Sequence, residues 1–259
     1  MDPQRLGDAR MSNGNVVTRR ERVFDLPLDL LTMEESVDLC HHLVGERGHW
    51  RADLNASIVL AALEDTKLRQ YVEASAISNA DGQSIVWASR ILGVPAPERV
   101  SGIDLFLELI RHAPERGDRV YLLGARDDVV HAVAEDFISR GVNVVGYRNG
   151  YWTADEESGV VEAIASAKPE LLFLALPSPQ KEHFVLRNKD QLGVGLVFGV
   201  GGSFDVISGR LKRAPLWVQK LGLEWCYRFA QEPRRLLKRY LVGNTRFVLL
   251  TLKTRFGRS

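Results

Sequence analysis

Between residues 119 and 200 the chain alternates short runs that are apolar at nearly every position with longer stretches that are apolar at helical spacing. Arg119-Val120-Tyr121-Leu122-Leu123-Gly124 reads as a strand ending in glycine, with a helix behind it from about Asp127 to Ser139. Asn143-Val144-Val145-Gly146-Tyr147 is a second strand, followed by a helix over Asp155 to Ala167. Leu171-Leu172-Phe173-Leu174-Ala175-Leu176 is a third, closed by Pro177-Ser178-Pro179 and a helix to about Asp190. Gly195-Leu196-Val197-Phe198-Gly199-Val200 is a fourth. Strands apolar on both faces and separated by single helices predict a parallel sheet covered on both sides, with right-handed crossovers. The predicted class is α/β, a Rossmann-like, mostly parallel sheet with helices on both faces.

The first half is less regular. Thr32 and Glu35 fit a capping box that opens a helix running through Val44. Ile58 to Leu63 and Leu68 to Val72 have helical spacing, Ala76-Ile77-Ser78 is strand-like, and Ser84 to Leu92 starts a helix behind Asp81-Gly82. Residues 1–20 lack the apolar stretch of a secretory signal and are expected to be a flexible tail. Past Ser208-Gly209 the alternation stops. Trp217, Trp225, Tyr227, Phe229, Tyr240 and Phe247 interleave with Arg and Lys, and Pro233 and Gly243 punctuate the segment. The expected organisation is a tail over 1–20, a Rossmann-like domain over 21–209 and a helical basic appendage over 210–259.

Charge sharpens that boundary. The 259 residues carry a net charge of only +1, yet residues 210–259 hold thirteen Lys/Arg against two acids, leaving the body distinctly acidic. A solvated helical face does not require so many cations, and no nucleic-acid-binding module is recognisable. A basic, aromatic-studded helix lying in a membrane interface accounts for both residue types, with Trp and Leu buried and Lys and Arg at anionic headgroups. The expected partner is an anionic membrane surface and not nucleic acid. Cys40 and Cys226 are far apart, which argues against a disulfide framework or a zinc site and for a reducing compartment. No apolar run approaches the ~18 residues of a spanning helix, so the expected location is cytoplasmic, attached peripherally to the inner membrane face.

In an open parallel sheet, ligands bind beyond the carboxyl ends of the strands. Gly199-Val200-Gly201-Gly202-Ser203 could cradle a phosphate or form a tight strand-to-helix turn. No Walker lysine follows it, and it lacks the GxGxxG spacing, whose absence early in the chain counts against a nicotinamide-dependent oxidoreductase. Asp81 could be a general base at the sheet mouth or an N-cap for the helix near Ser84, the commoner role for Asp at such a spacing. Asp205 has the same two readings, with Ser203 as a rival cap. His41, His42 and His183 have no metal-ligand spacing, and Ser178 sits in no GxSxG context.

A longer set of motifs is more specific than any of these alone. It comprises Asn55, Asn79-Ala80-Asp81-Gly82, Glu98-Arg99-Val100-Ser101-Gly102-Ile103-Asp104, Gly146-Tyr147 and Gly150-Tyr151. It continues with Ser178-Pro179-Gln180-Lys181-Glu182, Gly199 to Asp205, Arg213-Ala214-Pro215, Leu223-Glu224-Trp225, Tyr227-Arg228 and Glu232-Pro233-Arg234-Arg235. In order and spacing, from about Arg51 to Phe247, the chain resembles the bacterial WecG/TagA/CpsF glycosyltransferases. The resemblance implies an inverting transfer, without metal or other cofactor, from a UDP-sugar to a sugar on a polyprenyl diphosphate in cell-surface or exopolysaccharide synthesis. The donor sugar it implies is N-acetylmannosamine, its uronic acid or a hexose such as glucose. It makes Asp81 the base, places Asn55, Arg99, Gly102, Tyr151, Lys181 and Asp205 around donor and acceptor, and brings Arg228 and Arg235 of the appendage to diphosphate groups. It is also compatible with a homo-oligomer. Two positions depart from the family pattern: Asp53 stands where Thr is usual, and Lys181 where Gln is common. The competing class is a non-catalytic nucleotide-binding membrane-assembly protein on the same scaffold, distinguishable by UDP binding without turnover.

Overall fold

A computed structural model describes residues 11–12, 15–16, 19–215, 217–218, 224–231 and 233–257, with 11–12, 15–16, 228 and 233–242 given by backbone alone. Of the expected tail, residues 1–10, 13–14 and 17–18 lie outside the described residues. Within it β1 (Met11–Ser12) pairs antiparallel with β2 (Asn15–Val16), and Arg20 already opens β3 (Arg20–Val23). β3 forms a hairpin with β4 (Leu26–Asp29) around Phe24 and Asp25, both left-handed as a tight twisted hairpin turn requires.

The remaining elements follow in order: α1 (Met33–Gly45), β5 (His49–Leu54), α2 (Ala56–Ala62), α3 (Thr66–Glu73), β6 (Ile77–Ala80), α4 (Gln83–Ile91) and α5 (Gly102–Arg116). Then come β7 (Arg119–Gly124), α6 (Asp127–Ser139), β8 (Asn143–Arg148), α7 (Glu157–Ala167), β9 (Leu171–Ala175), α8 (Gln180–Leu192), β10 (Leu196–Gly199) and α9 (Ser203–Ile207). A short helix, Glu224–Gln231, and a long C-terminal one, Pro233–Phe256, complete the described chain. The capping box at Thr32 and Glu35 is present with both of its hydrogen bonds.

Six strands form one parallel sheet in the order β6-β5-β10-β9-β7-β8. β9 shows why the sequence pattern was so clear. Leu172 and Leu174 enter the apolar cluster on one face, Leu171, Phe173 and Ala175 that on the other, and all five are buried. β5 is the strand that the hydrophobic pattern does not reveal. Its run His49-Trp50-Arg51-Ala52-Asp53-Leu54 carries two charges, yet it lies between β6 and β10 with Arg51 fully enclosed.

The hairpin closes the β6 edge of the sheet. The buried Asp29 carboxylate accepts two hydrogen bonds from Arg20, at 2.8 and 2.7 Å, and a third from Ser78 N–H at 2.7 Å. An edge strand whose polar groups are taken up in this way offers no template for pairing with another chain.

In the basic segment, Pro233 opens the C-terminal helix, where its missing N–H is not needed. Gly243, expected as punctuation, instead lies inside that helix. The helix packs against α2 and α4, burying Phe247 edge-on against Phe24 at 5.3 Å. Among the described residues no helix is long and apolar enough to cross a membrane.

Candidate active site

The connections leaving β7 and β9 diverge: α6 packs on one face of the sheet and α8 on the other. Their carboxyl ends therefore flank a topological switch point, where doubly wound sheets bind ligands. Gly124 is essential to that crevice. At φ +121°, a Cβ there would lie 2.6 Å from the Ala175 backbone. Gly150 N–H donates to Ala125 O at 2.9 Å, folding the loop after β8 back over the crevice and leaving Tyr151 largely exposed beside it. Tyr151 N–H is held by Asn149 Oδ1 at 3.0 Å, and Asn149 Nδ2 donates to Asp127 at 3.1 Å.

Across β10, two strand intervals from β9 and three from β7, about 10–15 Å at ordinary strand spacing, the end of β5 and, beyond it, that of β6 carry a cluster of charges. Arg51 and Asp53 share one face of β5, and Asp53 pairs in register with Asn79 on β6. Arg51 donates through Nε to Asn79 Oδ1 at 2.7 Å and through its guanidinium to Asp53, and lies 4.6 Å over the Phe198 ring. Asn79 Nδ2 in turn donates to Ser36 Oγ at 3.0 Å. Burial pulls the Arg51 guanidinium below its ordinary pKa, opposed first by the charge of Asp81. A cation this deep needs such carboxylates beside it.

Asp81 follows β6 directly. The cap expected for it on the next helix is not found: the N-cap of α4 is Gly82, which makes no side-chain cap bond. Asp81 Oδ1 instead accepts the Gly102 N–H at 2.7 Å, at the amino end of α5. Gly102 belongs to the same cluster, since a Cβ there would come within 3.5 Å of Arg51 Nη1, Asp53 Oδ1 and Asp81 Oδ1.

Lys181, in the first turn of α8, is buried, with Nζ 3.3 Å from Asp53 Oδ2 and 3.6 Å from Glu182 Oε1. It lies across Gly199, where a Cβ would sit 2.6 Å from Nζ. The first glycine of the Gly199 loop thus makes room for a lysine. Beyond it Gly201 is left-handed at φ +52°, and Ser203 Oγ donates to Val200 O at 2.6 Å, a strand-to-helix turn. Asp205 is no cap either. Gly202 precedes α9, and among the described residues the cation paired with Asp205 is Arg210 at 4.0 Å. Two buried atoms of the cluster, Arg51 Nη2 and Glu182 Oε2, have no hydrogen-bond partner among the described residues, which leaves them capacity for a polar ligand.

Asn55 caps α2, its Oδ1 accepting from Ser57 and Ile58 N–H at 3.1 Å each, and it stands against Gly82. Arg99 donates to Glu224 Oε2 at 3.3 Å. Arg228 and Arg235 fall on the last two helices, but their side chains lie outside the described residues. Among the described residues no group of three or more His, Cys, Asp or Glu is placed to hold a metal ion. Asn55, Asp81, Gly102 and Lys181 are therefore brought together at the β5, β6 and β10 ends, while Tyr151 stands beside the crevice between β7 and β9. Sequence reasoning passed over Arg51, Glu182 and Glu224 as individual residues. The available signal was a charged pair inside a strand-length run and two acids within the quoted motifs.

A family model described as the glycosyl transferase WecG/TagA/CpsF family matches residues 21–259. The chain is 34% identical over 200 residues to an N-acetylglucosaminyldiphosphoundecaprenol N-acetyl-β-D-mannosaminyltransferase of Bacillus subtilis (strain 168), covering 75% of this chain and 76% of that protein. It is 30% identical over 216 residues to the protein of the same name from Bacillus spizizenii, with 82% of each covered.

Proposed function

Since the chain belongs to the WecG/TagA/CpsF family of glycosyltransferases, we propose that it moves a sugar from a UDP-sugar onto N-acetylglucosamine or a similar sugar carried on a polyprenyl diphosphate. N-acetylmannosamine is the donor sugar the relatives' names favour. Its uronic acid and a hexose such as glucose are the competing donors. The observation that carries the reading is the Asp81 carboxylate at the carboxyl edge of the sheet, which among the described residues accepts one hydrogen bond, from Gly102 to Oδ1.

That arrangement leaves Oδ2 for the acceptor hydroxyl. In the proposed step Asp81 takes the hydroxyl proton as the acceptor oxygen bonds the anomeric carbon. The bond from that carbon to the UDP oxygen breaks on the opposite face, inverting the configuration. Charge developing on the leaving diphosphate requires preorganised donors. Lys181 and the arginines at 228 and 235 are the proposed ones, without a metal.

The C-terminal helix supports a membrane-surface location. Its described part buries Phe247 and Thr251 against the body and leaves Val248, Leu249, Leu252 and Phe256 exposed, next to the exposed cations Lys253 and Arg255. Such a face suits an interface of lipid and water.

The test is purified full-length protein with lipid-diphosphate-linked N-acetylglucosamine and a panel of UDP-sugars, with products read by mass and linkage. One donor is expected to yield product, and Asp81→Asn to lose about 10²- to 10⁴-fold in rate. Undiminished transfer by Asp81→Asn removes the base assignment, and UDP binding without transfer from any donor removes the proposed reaction.

A further inference from the structure

The start of α5 is gripped from two sides. Gly102 N–H holds the Asp81 carboxylate at 2.7 Å, and two residues on, Asp104 Oδ1 accepts from Arg213 Nη2 at 2.6 Å. Just upstream, Arg99 reaches Glu224, the first residue of the helix Glu224–Gln231, whose other carboxylate oxygen lies 4.0 Å from Arg213 Nε. The Arg99 and Glu224 side chains are only 17% and 14% exposed, so salt screens the pair little. The far end of the helix is fastened as well. Gln231 donates to Lys212 O at 3.0 Å and accepts from Lys212 N–H at 3.2 Å. Glu224 and Gln231 are two turns apart and share a helical face, and position 228 lies between them on that face.

We infer that Glu224 is a positioning residue for the transfer reaction. Its carboxylate, held between Arg99 and Arg213, docks the penultimate helix on the 99–104 segment, and that docking fixes both the Asp81 carboxylate and the register of position 228 at the sheet edge. The inference rests on Asp81 being the base, and it adds the reason why the basic segment is needed for catalysis apart from any contact with lipid. The same residues couple the two parts: moving Arg99 or Asp104 moves the helix turn whose first N–H orients Asp81. Removing the Glu224 charge leaves two guanidinium groups close together with Asp104 as their remaining described acid, an arrangement that favours undocking.

The opposite role makes the opposite prediction. If the Glu224 carboxylate merely occupied Arg99 in competition with a donor phosphate, its removal would tighten donor binding. The measurement is steady-state kinetics of full-length Glu224→Gln and, as a milder variant touching Arg213 from the α5 side, Asp104→Asn. Detergent-dispersed acceptor and the UDP-sugar active in the donor panel are the substrates. Positioning predicts a kcat lower by about tenfold to a hundredfold for Glu224→Gln, with donor KM within about threefold, and the same split at smaller amplitude for Asp104→Asn. A lower donor KM with kcat kept or raised overturns it.

Hydrogen exchange over residues 99–106 and 224–231 reads the docking without turnover. Both segments are expected to exchange faster in Glu224→Gln, while the β9 and β10 peptides stay protected. If no sugar is transferred by any variant, the exchange measurement still decides: unchanged protection at 99–106 in Glu224→Gln overturns the coupling.

Discussion

Lys181 has almost no access to water, and three neighbours decide where its ammonium goes: Asp53 at 3.3 Å, Glu182 at 3.6 Å and the bare backbone of Gly199. Asp53 already accepts from Arg51, so it serves two cations at once. The two positions that depart from the family pattern are therefore the two ends of one ion pair. Removing either end costs the other a buried partner, although Asp53 keeps Arg51 and Lys181 keeps Glu182. Lys181→Gln and Asp53→Thr should each destabilise the fold, and the double variant should be more stable than their sum predicts, with a coupling of about 1–3 kcal/mol in urea unfolding. Additive losses would show that the pair is not energetically coupled. Each residue could be singled out in the sequence, but their pairing could not, because 128 positions separate them and no local rule relates a strand interior to the first turn of a distant helix.

At the level of elements, legibility followed burial. β7, β9 and β10 are apolar on both faces and stand out in the sequence, as do the helices between them. β5 is hidden because Arg51 and Asp53 break its apolar run, and those charges lie in the candidate site. The hairpin β3–β4 is equally unmarked, since its turn uses Phe24 and Asp25 rather than glycine. The cap reading of Asp81 fails for a related reason: the N–H it accepts comes from Gly102, at the start of α5, and not from α4, to which local spacing points. Glycines at two strand ends make a test of this level. A Cβ at Gly124 meets the Ala175 backbone at 2.6 Å and demands a left-handed alanine at φ +121°, so Gly124→Ala should cost at least about 3 kcal/mol and shift Tm down sharply. At Gly199 the obstacle is the flexible end of Lys181, so Gly199→Ala should keep most of its stability while losing transfer activity. Equal Tm losses in the two variants would contradict the idea that Gly199 exists to seat a side chain.

For the whole molecule the question is how an acidic body and a basic end divide the task. The C-terminal helix is not a free appendage. Phe247 packs on Phe24 and Arg246 pairs with Glu64, so one helical face is committed to the body. The opposite face carries Val248, Leu249, Leu252 and Phe256 in the open. Burying even half of each such side chain in an interface contributes about 1 kcal/mol apiece, and each nearby Lys or Arg adds about 1 kcal/mol at an anionic surface. The sum is enough for reversible attachment and too small for permanent insertion. Full-length protein should accordingly float with liposomes containing anionic lipid and be released as salt rises. Leu249→Glu with Leu252→Glu, which leaves the Phe247 contact intact, should abolish flotation without lowering Tm. Deletion from Arg210 onward should also stop flotation, but it uncovers Phe24 and α2 and removes the Glu224 contact, so activity should fall even on a water-soluble acceptor. Flotation of the double Glu variant equal to wild type would mean that this face does not meet lipid. A truncated protein as active as the intact chain on a soluble acceptor would mean that the basic segment serves only as an anchor.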